Sequence, residues 1–504
     1  MTDQRKNSIE CELQTKNDPD QPNESQSFPT NGSEIEEEVG PVYLSKEKLF
    51  LGIYLTNQAI AGIPLGFVQG SLPILLVANG AKLSDLGFLS LCSYPLTFKF
   101  IFGPILDRFF SERIGKRMSY ILPCLATILI LSFWSAFSID NWIQTINLTP
   151  LTLVGFFLVL AGGVLMISSD GYLMTIVAKD RRTLMPMLKF LGQTLGTALS
   201  YNLFIPLNSV EFCNNHIFST PRDKPLLTYE LFFILVAISL ACYVAWVAFC
   251  VLKEPPTKKN FGSIFEIVRT VRGFWTNKNL FRCLVFFMIW RLGFAPLDNY
   301  LVPASIRGGF DKAVYINIQT MLFPVGIIAS CLAGRYVVKS TQNQFELFYA
   351  HIATKIAVSL LSYWMLIEYD TPEKWQGAFW MMTLLSALDT IQDTLIFTST
   401  GAFFARICDH RVGTTFLTVI FSVYNFGNHL PKTIMYYILT DDNWKTVTYI
   451  FWIYTIVILF MIIPETRRLS KLPLEEFDVN TSSDNFLNKR GNQEQEQIEM
   501  RNLD

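Results

Sequence analysis

Charge is scarce in this chain of 504 residues: only 16% are Asp, Glu, Lys or Arg, where soluble globular proteins carry about a quarter. The two signs nearly cancel, 41 Lys and Arg against 42 Asp and Glu, for a formal net charge of −1. That leaves no basic stripe for a phosphate backbone and argues against a nucleic-acid partner. Nine cysteines are scattered through apolar runs without any CxxC spacing. They read as small core residues, not as a disulfide framework or metal site. The four histidines form no HExxH pair, and neither a P-loop nor GxGxxG occurs. An enzyme built on those motifs, with its metal or nucleotide cofactor, is not expected.

What the chain does have is apolar residues, 51% of the total. They are not spread evenly. Residues 1–48, with "KNDPDQPNESQSFPTNGSEIEEEVG", are polar and acidic, and residues 464–504 end in "NKRGNQEQEQIEMRNLD". Neither segment can bury enough apolar area to fold, so both are expected to be disordered tails. The first has no apolar core of the kind a cleaved signal peptide needs.

Between the tails, a membrane helix needs about 20 mainly apolar residues, and twelve such runs occur. They fall near 49–77, 86–106, 118–138, 151–178, 183–206, 227–252, 280–303, 313–338, 346–367, 375–402, 412–438 and 446–463. Loops after even-numbered runs hold "DRFFSERIGKR", "KDRR", "GRYVVK" and "RICDHR". The excess of bases there places those loops, and both tails, in the cytosol. The longest basic connection, 253–279, divides the core into halves of six, 49–252 and 280–463. This predicts an all-α membrane protein with twelve transmembrane helices in two six-helix halves, the major facilitator arrangement, working by alternating access.

A charge at the centre of a spanning helix costs roughly 2.5–3.5 kcal/mol even on lenient scales, so intramembrane charge marks a pathway or a partner. Span 4 holds Asp170, span 7 holds Arg291 and Asp298, and span 10 holds Asp389 and Asp393. Span 1 contributes Gln58 and Gln69. Spans 1, 4, 7 and 10 are equivalent under a three-helix repeat. Spans 1 and 7 are moreover interrupted alike, by Gly62, Pro64, Gly66 and Pro73 in one and Gly293, Pro296 and Pro303 in the other. Matched interruptions point to a midplane substrate site. Gln58, Gln69, Lys99, Asp170, Arg291 and Asp298 are therefore candidate substrate-binding residues. Arg291 and Asp298, seven apart on one face, could also pair with each other. Asp389 and Asp393, four apart, are candidates for proton coupling or for pairing with a cation. Lys189, Lys355 and the His429/Lys432 pair lie outside the four-span pattern; several of these bases stand near span ends and are expected to snorkel. In "GPILDRFFSERIGKR" a Gly, an Asp and a basic cluster coincide beside span 2. Asp107, Arg108, Lys116 and Arg117 are expected to form a latch that biases the access equilibrium.

Several stretches resemble the acetyl-coenzyme A transporters, solute carrier family 33, and more distantly the bacterial muropeptide permeases. They are "GIPLGFVQGSLPILL", "YPLTFKFIFGPILD", "DGYLMTIV", "LGQTLGTALSYNLF…EFCNN", "RLGFAPLD" and "VGTTFLTVIFSVYNFGNHLPKT". The resemblance covers nearly all of 49–463. It implies a carrier that moves acetyl-CoA from cytosol to the endoplasmic reticulum lumen, without a cofactor, and it adds Gln193 and Asn425 to the candidate binding set. The chain departs from the family at "GGVLMISS", which lacks an acidic residue, and at Asp389 and Asp393, which the family pattern does not contain. Acetyl-CoA is a polyanion, yet the candidate lining sets four aspartates against Arg291, Lys99 and Lys432. Three resolutions stand open: bases at the cytosolic mouth (Lys99, Arg181, Arg182, Lys189, Arg406) recruit the phosphates, the aspartates are paired or protonated, or the cargo is less anionic. A proton-coupled permease for another solute, or a transport-dead receptor or scaffold, are the alternatives.

Overall fold

Backbone polar groups cannot be left bare in a bilayer, so a chain this apolar must satisfy them within helices. The computed structural model describes residues 47–176, 185–250, 277–337, 341–406 and 413–472, and among them there is no strand. Twelve long helical elements are formed by the described residues. They are α1 (Lys48–Ala78), α2 (83–108), α3 (Met118–Gln144), α4 (Leu148–Ile176), α5 (185–207) and α6 (Tyr229–Cys250) in the first half. The second half has α7 (Lys278–Arg307), α8 (Lys312–Val337), α9 (Thr341–Glu368), α10 (Phe379–Arg406), α11 (Gly413–Ile438) and α12 (Trp444–Leu469). The start of α10 comes later than the apolar run suggests. A separate short helix, Pro372–Gln376, precedes it, capped by the Thr371 side chain, which accepts from the Lys374 amide.

The two halves repeat the same packing. α1 lies on α5 as α7 lies on α11, α2 on α4 as α8 on α10, and α3 on α4 as α9 on α10. Burial separates an inner from an outer layer: α1 and α4 are 72% buried, α6 and α12 only 28%. The outer helices offer lipid their aromatic and branched residues, such as Phe133, Trp134 and Phe137 on α3 and Ile453, Ile456 and Phe460 on α12. By length and composition eight elements are apolar enough to cross a membrane on their own. The other four are α2, α5, α10 and α11. α2 and α5 are divided into shorter helical pieces, while α10 and α11 carry Asp389, Asp393, Asn425, Asn428, His429 and Lys432.

Close approach of α1 and α5 rests on small residues, the usual device where lipid removes the hydrophobic drive between helices. A Cβ at Gly196 would come within 1.9 Å of the Ala59 carbonyl oxygen, and one at Gly62 within 2.5 Å of the Gln193 carbonyl oxygen. The glycines of "GIPLG" and "LGQTLG" thus interlock the helices; they do not break them. The distortions sit beside them instead. α1 passes through a π-helical stretch at Phe67–Ser71, three residues after Pro64. α7 tightens into a 3₁₀ stretch at Trp290–Phe294, just before Pro296.

Between the halves, α2 meets α11 and α5 meets α8. The bonds across this seam are neutral. Asn425 donates from Nδ2 to the Leu96 carbonyl at 3.2 Å, and Ser90 and Thr433 share a hydroxyl contact of 2.7 Å. The Phe100 amide donates to Ser422 Oγ at 3.2 Å, and Thr320 Oγ1 donates to the Asn202 carbonyl at 3.2 Å.

Candidate translocation site

Each half holds its own charge centre. In the first, Asp170 of α4 accepts from Lys189 of α5 at 2.5 Å and from two groups of α1, Tyr54 Oη at 2.8 Å and Gln58 Nε2 at 3.1 Å. Gln193 of α5 donates on to Gln58 Oε1 at 3.3 Å. Three donors on one carboxylate tie α1, α4 and α5 together. Gln58 is fully buried. Asp170, Gln58 and Gln193, three of the candidate substrate-binding residues, are hydrogen-bonded in one chain.

In the second half, Arg291 of α7 spreads its guanidinium over two helices. Nη2 donates to Asp393 of α10 at 3.0 Å and Nη1 to Asn428 of α11 at 3.2 Å. Asp298 does not take the expected place beside Arg291. Its partner is Lys355 of α9, at 2.7 Å, and the same ammonium reaches Asp389 of α10 at 3.2 Å. Asp389 also accepts from Gln392. Lys355 is 1% exposed while Asp389 and Asp393 are about half exposed, at 50% and 46%. So the cation is the fixed part and the carboxylates face the open space. Snorkelling is the wrong description of Lys355: it lies in the protein interior.

The signal for Lys355 was present in the sequence. His351, Lys355, Ser359 and Ser362 are all buried, at spacings of four, four and three that place them on one stripe of α9. His351 makes a 2.8 Å contact through Nδ1 with the Gln392 carbonyl, and Ser359 accepts from Trp452 at 3.0 Å. The stripe turns inward because its polar groups need partners.

Gln69 and Asn425 are engaged in holding helices together, Gln69 by donating to Ser93 Oγ on α2 at 3.1 Å and Asn425 across the seam. Lys99 of α2 behaves differently. Its only described contact is the Met166 sulfur at 4.0 Å. Lys432 of α11 lies 5.8 Å from the Tyr436 ring centroid and, among the described residues, pairs with no carboxylate. These two cations come from the facing helices of the seam.

The residues expected to form the latch are only partly among those described. The side chains of Asp107, Arg108, Arg181, Arg182 and Arg406 lie outside the described residues. Arg117 is buried, and its guanidinium rests on α4 where Gly171 follows Asp170: a Cβ there would stand 2.4 Å from Nε. The glycine of "DGYLM" is thus the seat of Arg117. Gly171→Ala is expected to push Arg117 out and lower the maximal transport rate several-fold, leaving the half-saturating concentration nearly unchanged. Initial rates in proteoliposomes check this, and an unaltered rate removes the seat from the gating cycle.

Residues 48–271 match the family described as Acetyl-coenzyme A transporter 1. Over that span the chain is similar to the acetyl-coenzyme A transporter family. It is also 23% identical over 410 residues to an uncharacterized protein of Schizosaccharomyces pombe, covering 80% of this chain and 76% of that one. The anhydromuropeptide permease of Escherichia coli is 22% identical over 315 residues, covering 62% of this chain and 59% of the permease. Among solved structures, a POT family transporter in complex with a thioalcohol conjugated peptide superposes with a TM-score of 0.56 at 12% identity, covering 84% and 96% of the two chains. A bacterial homolog of the human lysosomal transporter Spinster, in an inward-facing and occupied conformation, gives 0.51 at 15% identity, covering 87% and 99%. The fold is that of the major facilitators, and the protein is a multi-pass membrane transporter.

Proposed function

We propose that the transporter carries acetyl-CoA by alternating access, from the cytosol into the endoplasmic reticulum lumen, with the basic loops on the cytosolic side. The observation that supports this reading is the charge balance of the site. All four aspartates that weighed against a polyanion are held by cations: Asp170 by Lys189, Asp298 and Asp389 by Lys355, and Asp393 by Arg291. Among the described residues Lys99 and Lys432 form no ion pair with a carboxylate. Five cations face four carboxylates, and the two without a carboxylate come one from each half. A phosphate-bearing substrate supplies the missing anion and joins the halves through it.

Uptake of labelled acetyl-CoA into proteoliposomes tests the reading. Each of Lys99→Gln and Lys432→Gln is expected to raise the half-saturating concentration about tenfold, the loss of a charge-assisted hydrogen bond of roughly 1.5–3 kcal/mol. Uptake untouched by either change refutes the assignment. Absence of acetyl-CoA uptake, with a pH-gradient-driven flux of a peptide or sugar conjugate, favours the permease alternative.

A further inference from the structure

Of the eight elements apolar enough to cross a membrane, α8 is the least buried, at 24%. Its outer face carries Met321, Ile328 and Leu332, exposed by 73%, 59% and 62%. Arg335, also exposed, lies seven residues after Ile328 and three after Leu332, so the same stripe ends in a cation. Beside the stripe, α8, α9 and α10 enclose an apolar groove of about 430 Å³. Ala329 and Ala333 of α8 leave the room there that larger side chains would fill, and Ile391 and Leu395 line it from α10. From Val325 to Tyr336 the groove follows α8 for about 16 Å at 1.5 Å per residue. That is close to half of the roughly 30 Å hydrocarbon core, the depth of one leaflet. Tyr336 closes the basic end by donating to Glu346 of α9. Arg335 makes no hydrogen bond or ion pair with any described residue.

We propose that this groove holds one acyl chain of an anionic phospholipid whose phosphate is bound by Arg335. A groove at membrane depth gains nothing from water, and a bare one forfeits the dispersion contacts of its lining. A lipid tail restores them, and its length suits a channel one leaflet deep. The headgroup then meets a guanidinium, which pairs with phosphate through two parallel hydrogen bonds, and anionic lipid gathers at basic segments beside a membrane helix. A second copy of the chain fits less well. A two-fold axis along the membrane normal brings the same residues together at the same depth, so the stripe would set Arg335 against its own counterpart. The site is separate from the translocation path. Ile391 and Leu395 each stand two residues from a site carboxylate, Asp389 and Asp393, and two residues turn an α-helix by roughly 200°. The tail therefore lies behind the face of α10 that serves the site.

Native mass spectrometry of the full-length protein in neutral detergent, titrated with dioleoyl phosphatidylserine or dioleoyl phosphatidylcholine, tests the proposal. The wild type is expected to retain one phosphatidylserine with about tenfold preference over phosphatidylcholine, the value of one charge-assisted hydrogen bond. Arg335→Gln, an exposed change that leaves the packing alone, should erase the preference. Dihexanoyl phosphatidylserine has the same headgroup on short tails and should not be retained by the wild type. Ala329→Leu with Ala333→Leu fills the groove and should abolish retention of the long-chain lipid. Equal retention of the two dioleoyl lipids, a preference that survives Arg335→Gln, or retention of the short-chain lipid as strong as the long overturns the proposal. So does a wild-type dimer that the paired leucines convert to a monomer, which gives this face to a second copy.

Discussion

Lys355→Met is expected to abolish transport in protein that still reaches the membrane, and Lys355→Met combined with Asp389→Asn to restore much of it. Lys355 is buried and serves two carboxylates, at 2.7 and 3.2 Å. Removing one partner of a buried ion pair costs about 3–5 kcal/mol because the remaining charge is uncompensated. Here two carboxylates, Asp298 and Asp389, would be left together beside the path of an anion. Two like charges sharing a site favour protonation of one of them. Residual transport by the single variant should therefore increase as pH falls, and the Asn replacement should remove that dependence. Thermal unfolding of the purified variants separates lost stability from lost charge balance. A single variant with normal transport, or a double variant no better than the single, ends the argument.

Arg291→Lys should weaken substrate binding by about tenfold or more, and Arg291→Ala should eliminate measurable transport. The guanidinium reaches Asp393 on α10 and Asn428 on α11 with different nitrogens, at 3.0 and 3.2 Å. An ammonium is a point charge without that fixed fork. Pairing alone could explain the residue, so the deciding variant is Arg291→Ala with Asp393→Asn. If Arg291 serves only to neutralise Asp393, the double change restores transport. If it contacts the substrate's phosphates, the double variant stays inactive though folded, which is the outcome expected. Removing Asp298 instead should rescue nothing, because Asp298 belongs to Lys355.

The twelve helices were legible because a bilayer reduces the question to one criterion, about 20 apolar residues in a row. Even the interruptions of α1 and α7 were visible as Gly and Pro, although their form was not. The ion pairs were a different problem. They depend on which faces of distant helices meet, and one local detail undid the simple spacing argument. Arg291 and Asp298 are seven apart, but Trp290–Phe294 is 3₁₀. Three residues per turn in place of 3.6 rotates Asp298 by roughly 80° relative to a continuous α-helix. That is enough to offer it to α9 instead of to its neighbour. Lys355 lies outside the four-span pattern, yet its stripe of His351, Ser359 and Ser362 gives α9 an inner face. Asp170 was noticed for the right reason, an unaccompanied charge in an apolar run. Its partner Lys189 stands 19 residues away on the next helix, where no periodicity rule connects the two.

Among the described residues every ion pair of the bundle is internal to one half, and the seam between α2 and α11 and between α5 and α8 is closed by neutral groups. Neutral hydrogen bonds are worth about 0.5–1.5 kcal/mol each, and hydroxyls, amides and carbonyls readily exchange one such partner for another or for water. A rocking motion therefore breaks only cheap bonds along the seam, while each half swings as a rigid piece with its counter-ions aboard. None of the ion pairs described within the two halves has to separate when the halves rock against each other.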